Sequence, residues 1–165
     1  MALKYNKPRS SGKKTYVRVN YKKQLTTKKP LKSLTSWNHN VSGRNFQGKI
    51  TIRHHGGGHK QKLREIDFKR NKDNIMATIK TIEYNPNRSS FISLVAYQDG
   101  VKKYILTPNN VKVGQKIISG KKVEVKIGNY MEIQKIPEGT FIHNVELNKG
   151  HGGQLILQLE QLHKF

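Results

Sequence analysis

At 165 residues the chain is long enough for one domain with a real core, which at this size buries roughly 70% of its unfolded surface. Its 32 Lys+Arg against 10 Asp+Glu give a formal charge of +22. The lack of cysteine excludes disulfides, thiol catalysis and Cys-based zinc sites, and no apolar run is long enough to span a membrane.

The charge is uneven. Through Lys72 there are 20 basic and 2 acidic residues, and after it 12 and 8. A basic arm ahead of a nearly balanced domain is the footprint of a chain held on phosphate by one end. Charge alone gives salt-sensitive adhesion, since 6–10 phosphate contacts lose roughly 10³–10⁵ in affinity between 50 and 200 mM salt. Specific function therefore needs a defined RNA shape or a larger assembly.

Residues 1–61 show little periodicity beyond a strand-like Tyr16–Val19, and read as an extended basic arm that orders on its partner. A transit peptide has similar composition, but Pro8, the Ser10-Ser11-Gly12 turn and Pro30 do not suit an amphipathic helix. Tyr21, Trp37 and Phe46 sit among cations. Their rings either stack on unpaired bases or anchor the arm to the protein's own barrel.

The most informative stretch is Gly43–Lys60, GRNFQGKITIRHHGGGHK, which contains no carboxylate. No Asp or Glu precedes Glu65, whereas residues 1–64 hold 17 Lys and Arg. Arg44, Lys49, Arg53, Lys60, Lys62 and Arg64 are the leading phosphate contacts, Arg as a two-pronged fork and Lys as a point charge. Gly56, Gly57 and Gly58 let main-chain N–H groups approach RNA. They are not a nucleotide-phosphate loop, because no Gly-Lys-Ser/Thr follows. His54, His55 and His59 form an incomplete zinc set, so packing or hydrogen bonding to RNA is the better reading.

From Lys62 the pattern changes to short strands and turns. Ile66 and Phe68 alternate with polar neighbours; Met76–Tyr84 ends at an Asn85-Pro86-Asn87 turn; Phe91–Tyr97 is apolar on both faces. Asp99-Gly100 predicts a two-residue type I′ hairpin turn into Val101–Leu106. Val123, Val125 and Ile127 alternate as a further strand, and Gly128-Asn129 turns into Tyr130–Ile133. The class is mainly β, with a five-stranded OB-like barrel over 62–135. Lys69, Arg70, Lys72 and Arg88 beside its turns are further RNA contacts. Phe68, Phe91, Tyr97, Phe141 and Val145 are core candidates.

After Pro137 a second β unit starts, with a strand over Thr140–Leu147, a Gly-rich turn, and Leu155, Leu157 and Leu159 alternating on the return. Two strands cannot stand alone in water. His143 packs or caps. No Ser–His–Asp pattern or carboxylate pair suggests an enzyme.

Several blocks together resemble the universal large-subunit ribosomal protein L2 family: Gly43–Lys60, Ile66–Asp73 (IDFKRNKD), Ile82–Arg88 (IEYNPNR), Tyr104–Leu106 (YIL) and Ile136–Leu155 (IPEGTFIHNVELNKGHGGQL). The resemblance implies an OB-like barrel followed by an SH3-like barrel. It also implies large-subunit rRNA and other large-subunit ribosomal proteins as partners, with a role in subunit assembly and translation. No cofactor is implied beyond Mg2+ that accompanies rRNA. The alternative is a free-standing OB module for single-stranded nucleic acid.

Family members continue beyond the region matched here. Residues 136–165 are therefore expected to begin an SH3-like barrel completed by a separate chain, making this the N-terminal half of a split protein. The Asn/Lys/Ile-rich composition and the family-like start favour a mitochondrial large subunit over a bacterial cytoplasmic or plastid one.

Overall fold

The computed structural model describes residues 3–5, 7, 10–13, 16–27, 29–38, 41–157 and 163–164. In chain order the elements are β1 (Leu3–Tyr5), β2 (Val17–Val19), a one-turn helix α1 (Tyr21–Gln24), β3 (Thr35–Trp37), β4 (Lys62–Arg64), β5 (Ala77–Glu83), β6 (Ile92–Tyr97), β7 (Lys102–Leu106), β8 (Lys116–Ile117), β9 (Phe141–Ile142) and β10 (His163–Lys164).

β6 organises the body because both its faces are apolar. Val95 and Tyr97 join Ala77, Ile79, Ile105, Val111 and Ile117 in one cluster. Ile92 and Leu94 point the other way and join Tyr104. The period-2 alternation of a strand makes the two sets possible on consecutive residues. The resulting antiparallel sheet runs β7-β6-β5-β8. Lys80 is the extra residue where the β5–β6 register shifts between Ile79 and Thr81. Such a bulge bends its strand and raises the local twist, which curls the sheet.

Closure comes from one segment that touches both edges. Ile66 bridges Tyr104 on β7, and the Asp67 N–H donates to the Tyr104 carbonyl at 2.8 Å. Farther along, Asp73 bridges Ser119 just past β8, and the Asn74 N–H donates to the Ser119 carbonyl at 2.7 Å. The body is mainly β and OB-like, but its fifth side is this irregular 66–74 passage. Ile66–Lys69 is not the regular strand the sequence suggests.

Three other expectations are corrected. Residues 123–127 do not form the expected strand, and Val125 and Ile127 are exposed; the strand there is the short Lys116–Ile117, paired with β5. The β6–β7 turn is not type I′. Gly100 has φ +83 and Asp99 is not positive, while the Gly100 N–H donates to the Tyr97 carbonyl and the Tyr97 N–H to the Val101 carbonyl. This is a three-residue loop with glycine at its left-handed position, another common hairpin solution. Finally, Phe141 is 63% exposed, and Val145 and Phe68 are only partly buried, whereas Phe91 and Tyr97 are in the core.

The basic N-terminal region is also more structured than an extended arm. β1 pairs with β2, and β3 pairs antiparallel with β4 in the register Thr35↔Arg64, Ser36↔Leu63, Trp37↔Lys62. Leu31 and Leu34 pack on Ile92, Leu94 and Tyr104. Tyr21 lies edge-on to Tyr84 and Phe91, and the Thr26 N–H donates to the Ile82 carbonyl. In the C-terminal region Val145 bridges Leu155, and β9 pairs with β10. Leu159 lies outside the described residues.

Candidate nucleic-acid interface

The Gly-rich segment is the excursion between β3 and β4, so a paired ribbon fixes both its ends. Inside it a smaller hairpin forms. Arg44 bridges Ile50, and the Asn45 N–H donates to the Lys49 carbonyl at 2.9 Å. The Asn45 side-chain oxygen accepts from the N–H groups of Gln47 and Lys49, and the Arg44 guanidinium donates to the Gly48 carbonyl. An Asn that satisfies the backbone two residues on is a standard way to set a tight turn.

Gly43, at φ +69, accepts Thr51 and Ile52 N–H groups on its carbonyl. A Cβ here would collide with the Ile52 carbonyl oxygen. Gly57 and Gly58 also have positive φ, but a Cβ on either would meet only open space. Their backbone is thus open to a ligand.

Arg44, Lys49, Arg53, Lys60 and Lys62 are exposed, as are His54, His55, Gly56, Gly57, Gly58 and His59. Arg64 is half-buried on β4, where its guanidinium donates to the Lys62 carbonyl. Among the described residues none of these six cations makes an ion pair; the four ion pairs there lie elsewhere. Arg44, Arg53, His54, His55, Gly56 and Gly57 converge on a concavity of about 460 Å³. The three histidines do not form a metal set, and among the described residues no group of three or more His, Cys, Asp or Glu does.

The second group of basic residues divides. Lys69 and Arg88 are exposed, Arg88 with its guanidinium 5.0 Å from the Phe68 ring centroid. Lys72 is paired with Asp99 and lies 5.2 Å from the Tyr97 ring. Arg70 is not a surface contact at all. It is 6% exposed, donates to the Gly128 carbonyl at 2.9 Å, and sits 5.6 Å from the Tyr130 ring. Burial lowers its pKa, with Tyr97 and Asp67 acting in opposition. The pKa of His143 drops to about 4, first through its own burial and then through the Arg70 charge.

Two features escape sequence reading. Tyr104 is fully buried and joins three segments: its hydroxyl donates to Glu83 and accepts the Leu31 N–H, both at 2.8 Å. Desolvation raises its pKa to about 12. Trp37 stands opposite Lys62 across a loop that no local pattern spans. Of the three aromatics, Tyr21 anchors to the body, while Trp37 is 65% and Phe46 94% exposed.

A curled antiparallel body that mounts an acid-free, glycine-rich hairpin with uncompensated cations has the make-up of a β-type RNA-binding domain. Residues 31–119 match the family described as Ribosomal Proteins L2, RNA binding N-terminal domain, and the chain belongs to the ribosomal L2 family. The match runs from the Leu31 N–H held by Tyr104 to Ser119, where the sheet closes on Asp73. L2 proteins are structural RNA-binding proteins of the large ribosomal subunit, not enzymes. Among the described residues no helix is long and apolar enough to cross a membrane.

Proposed function

We propose that this chain is a structural constituent of the large ribosomal subunit that grips rRNA through the loop between β3 and β4. The observation that carries this reading is the set of six cations at Arg44, Lys49, Arg53, Lys60, Lys62 and Arg64, which have no carboxylate partner among the described residues. Their loop is already shaped by its own hairpin and ribbon, so less ordering is left for the moment of binding. Lys69 and Arg88 extend the same contact, and His54, His55 and His59 add ring nitrogens that can hydrogen-bond to RNA.

Sedimentation tests it. The tagged chain is expected to co-migrate with the large subunit through a high-salt cushion. Release into the free fraction would favour the rival reading of a free-standing OB module for single-stranded nucleic acid.

The finer proposal is that further L2-type polypeptide, supplied by a separate chain, covers the 140–157 unit. Phe141, Leu147 and Leu155 are exposed on this unit, and Phe141 and the exposed Ile133 line an open cavity of about 1100 Å³. Cross-linking from Lys149 in the isolated particle should capture a polypeptide with the remaining L2 sequence; cross-links to unrelated proteins alone would refute this. The composition, rich in Asn, Lys and Ile, supports a mitochondrial ribosome, and organelle fractionation with an antibody to the chain checks it.

A further inference from the structure

Trp37 is the chain's single tryptophan. It ends β3 directly opposite Lys62 of β4. The anchoring of this segment to the body is already supplied by Leu31 and Leu34. Trp37 is outside that cluster and leaves 65% of its surface in water.

Two ammonium groups lie near its ring, Lys60 Nζ at 4.4 Å and Lys62 Nζ at 5.1 Å from the centroid. Each gains a little from the ring at an exposed site, but the two repel each other. Neither has a carboxylate partner among the described residues. The arrangement thus presents a largely exposed indole held only by two long, flexible side chains, whose uncancelled charges can swing from the ring to a phosphate. An unpaired nucleotide offers the complement of both: a flat base for the indole and phosphates for the amines. Paired bases within an A-form duplex do not expose a free face.

We propose that Trp37 is a stacking platform for an unpaired nucleobase of rRNA, with Lys60 and Lys62 holding the phosphates that flank it. This rests on the rRNA-binding reading and adds the class of element recognised, a loop, bulge or single strand.

Because Trp37 is the only indole, its emission reports the site directly. The full chain is titrated with a single-stranded oligonucleotide, an RNA hairpin with an open loop, a fully paired RNA duplex and inorganic polyphosphate. Binding is followed separately by anisotropy of labelled RNA or by competition against it. Single-stranded and looped RNA are expected to quench Trp37, while duplex and polyphosphate bind with little quenching. Trp37→Ala should weaken single-strand binding about 5- to 150-fold, the range set by loss of one base stack. Trp37→Phe should weaken it less. Lys60→Gln with Lys62→Gln should lower the salt slope by about 1–2 and leave the quench at saturation intact.

Equal quenching by polyphosphate would overturn the proposal, since it would report only lysines leaving the ring. Intact RNA binding with an unquenched Trp37 would also overturn it and leave the ring to a protein partner. No RNA binding by the wild-type chain would remove the rRNA reading itself and this site with it.

Discussion

Arg53 and Arg70 carry the same charge and meet opposite fates. Arg53 lies in a stretch that is exposed from Phe46 through Leu63, without an ion pair among the described residues. Arg70 is enclosed by the body, with the Gly128 carbonyl and the Tyr130 ring as neighbours and Asp67 accepting its backbone N–H. In the loop the chain leaves cationic donors for something outside itself. In the body it matches part of them internally, Arg70 with a carbonyl and a ring, Lys72 with Asp99 and Lys103 with Asp67. Counting basic residues does not distinguish these cases; the local supply of acceptors does.

The strongest way to break this contrast is to replace Arg44, Lys49, Arg53, Lys60, Lys62 and Arg64 together by Gln. If the loop cations are all on phosphate, RNA affinity should fall by roughly 10⁴ at 0.15 M salt and the log–log salt slope by about 5. The melting temperature should stay within a few degrees. A large loss of stability with an unchanged slope would show the loop charges to be structural.

The body side of the contrast is sharpened by pH. The folded pKa of His143 lies below its ordinary 6.5, at about 4, so the unfolded chain takes up the proton first. Its contribution is whole above about pH 6.5 and is lost as pH falls towards 4, on the order of 3 kcal/mol in all. Urea midpoints at pH 7 and 4.5 should diverge more in the native chain than in His143→Gln. Parallel pH dependences would mean that His143 charges freely beside Arg70.

A smaller effect is expected at Tyr104. Tyr104→Phe keeps the ring but strands Glu83 and the Leu31 N–H, which should cost about 1–3 kcal/mol in chemical denaturation. Because Leu31 leads into β3, hydrogen exchange at β3 and β4 should rise more than at β6. The smallest change tests the revised turn. Gly100→Ala meets no neighbouring atom, so only its positive φ matters, and a loss of about 1–2 kcal/mol is expected. Gly100→Asn should recover part of it.

Much of the body was legible because its signals are local. The Thr- and Ile-rich stretch Met76–Tyr84 and the doubly apolar run Phe91–Tyr97 specify β5 and β6, and Asp99-Gly100 marks the hairpin if not its type. The edge strand failed for the opposite reason. Lys116–Ile117 is too short to display a period, while Val123, Val125 and Ile127 show one without being paired. The site was legible in composition but not in placement. The absence of carboxylates before Glu65 singled out the cationic loop, yet Arg70 looks like Arg53 until Gly128, 58 residues away, is brought beside it. The mounting of the loop by Trp37↔Lys62 is equally non-local.

The hydroxyl of Tyr104 has a consequence for biosynthesis. The Leu31 N–H it accepts is 73 residues upstream. During translation the whole basic loop therefore leaves the ribosome well before the strand that clamps its base. Nascent chains stopped before residue 104 would carry the cations and the residues of the β3–β4 ribbon, but without the Tyr104 bond that ties Leu31 to the body. The mount is complete only after β7 emerges, so the firm presentation of the loop is gained late in synthesis while its charge is present early.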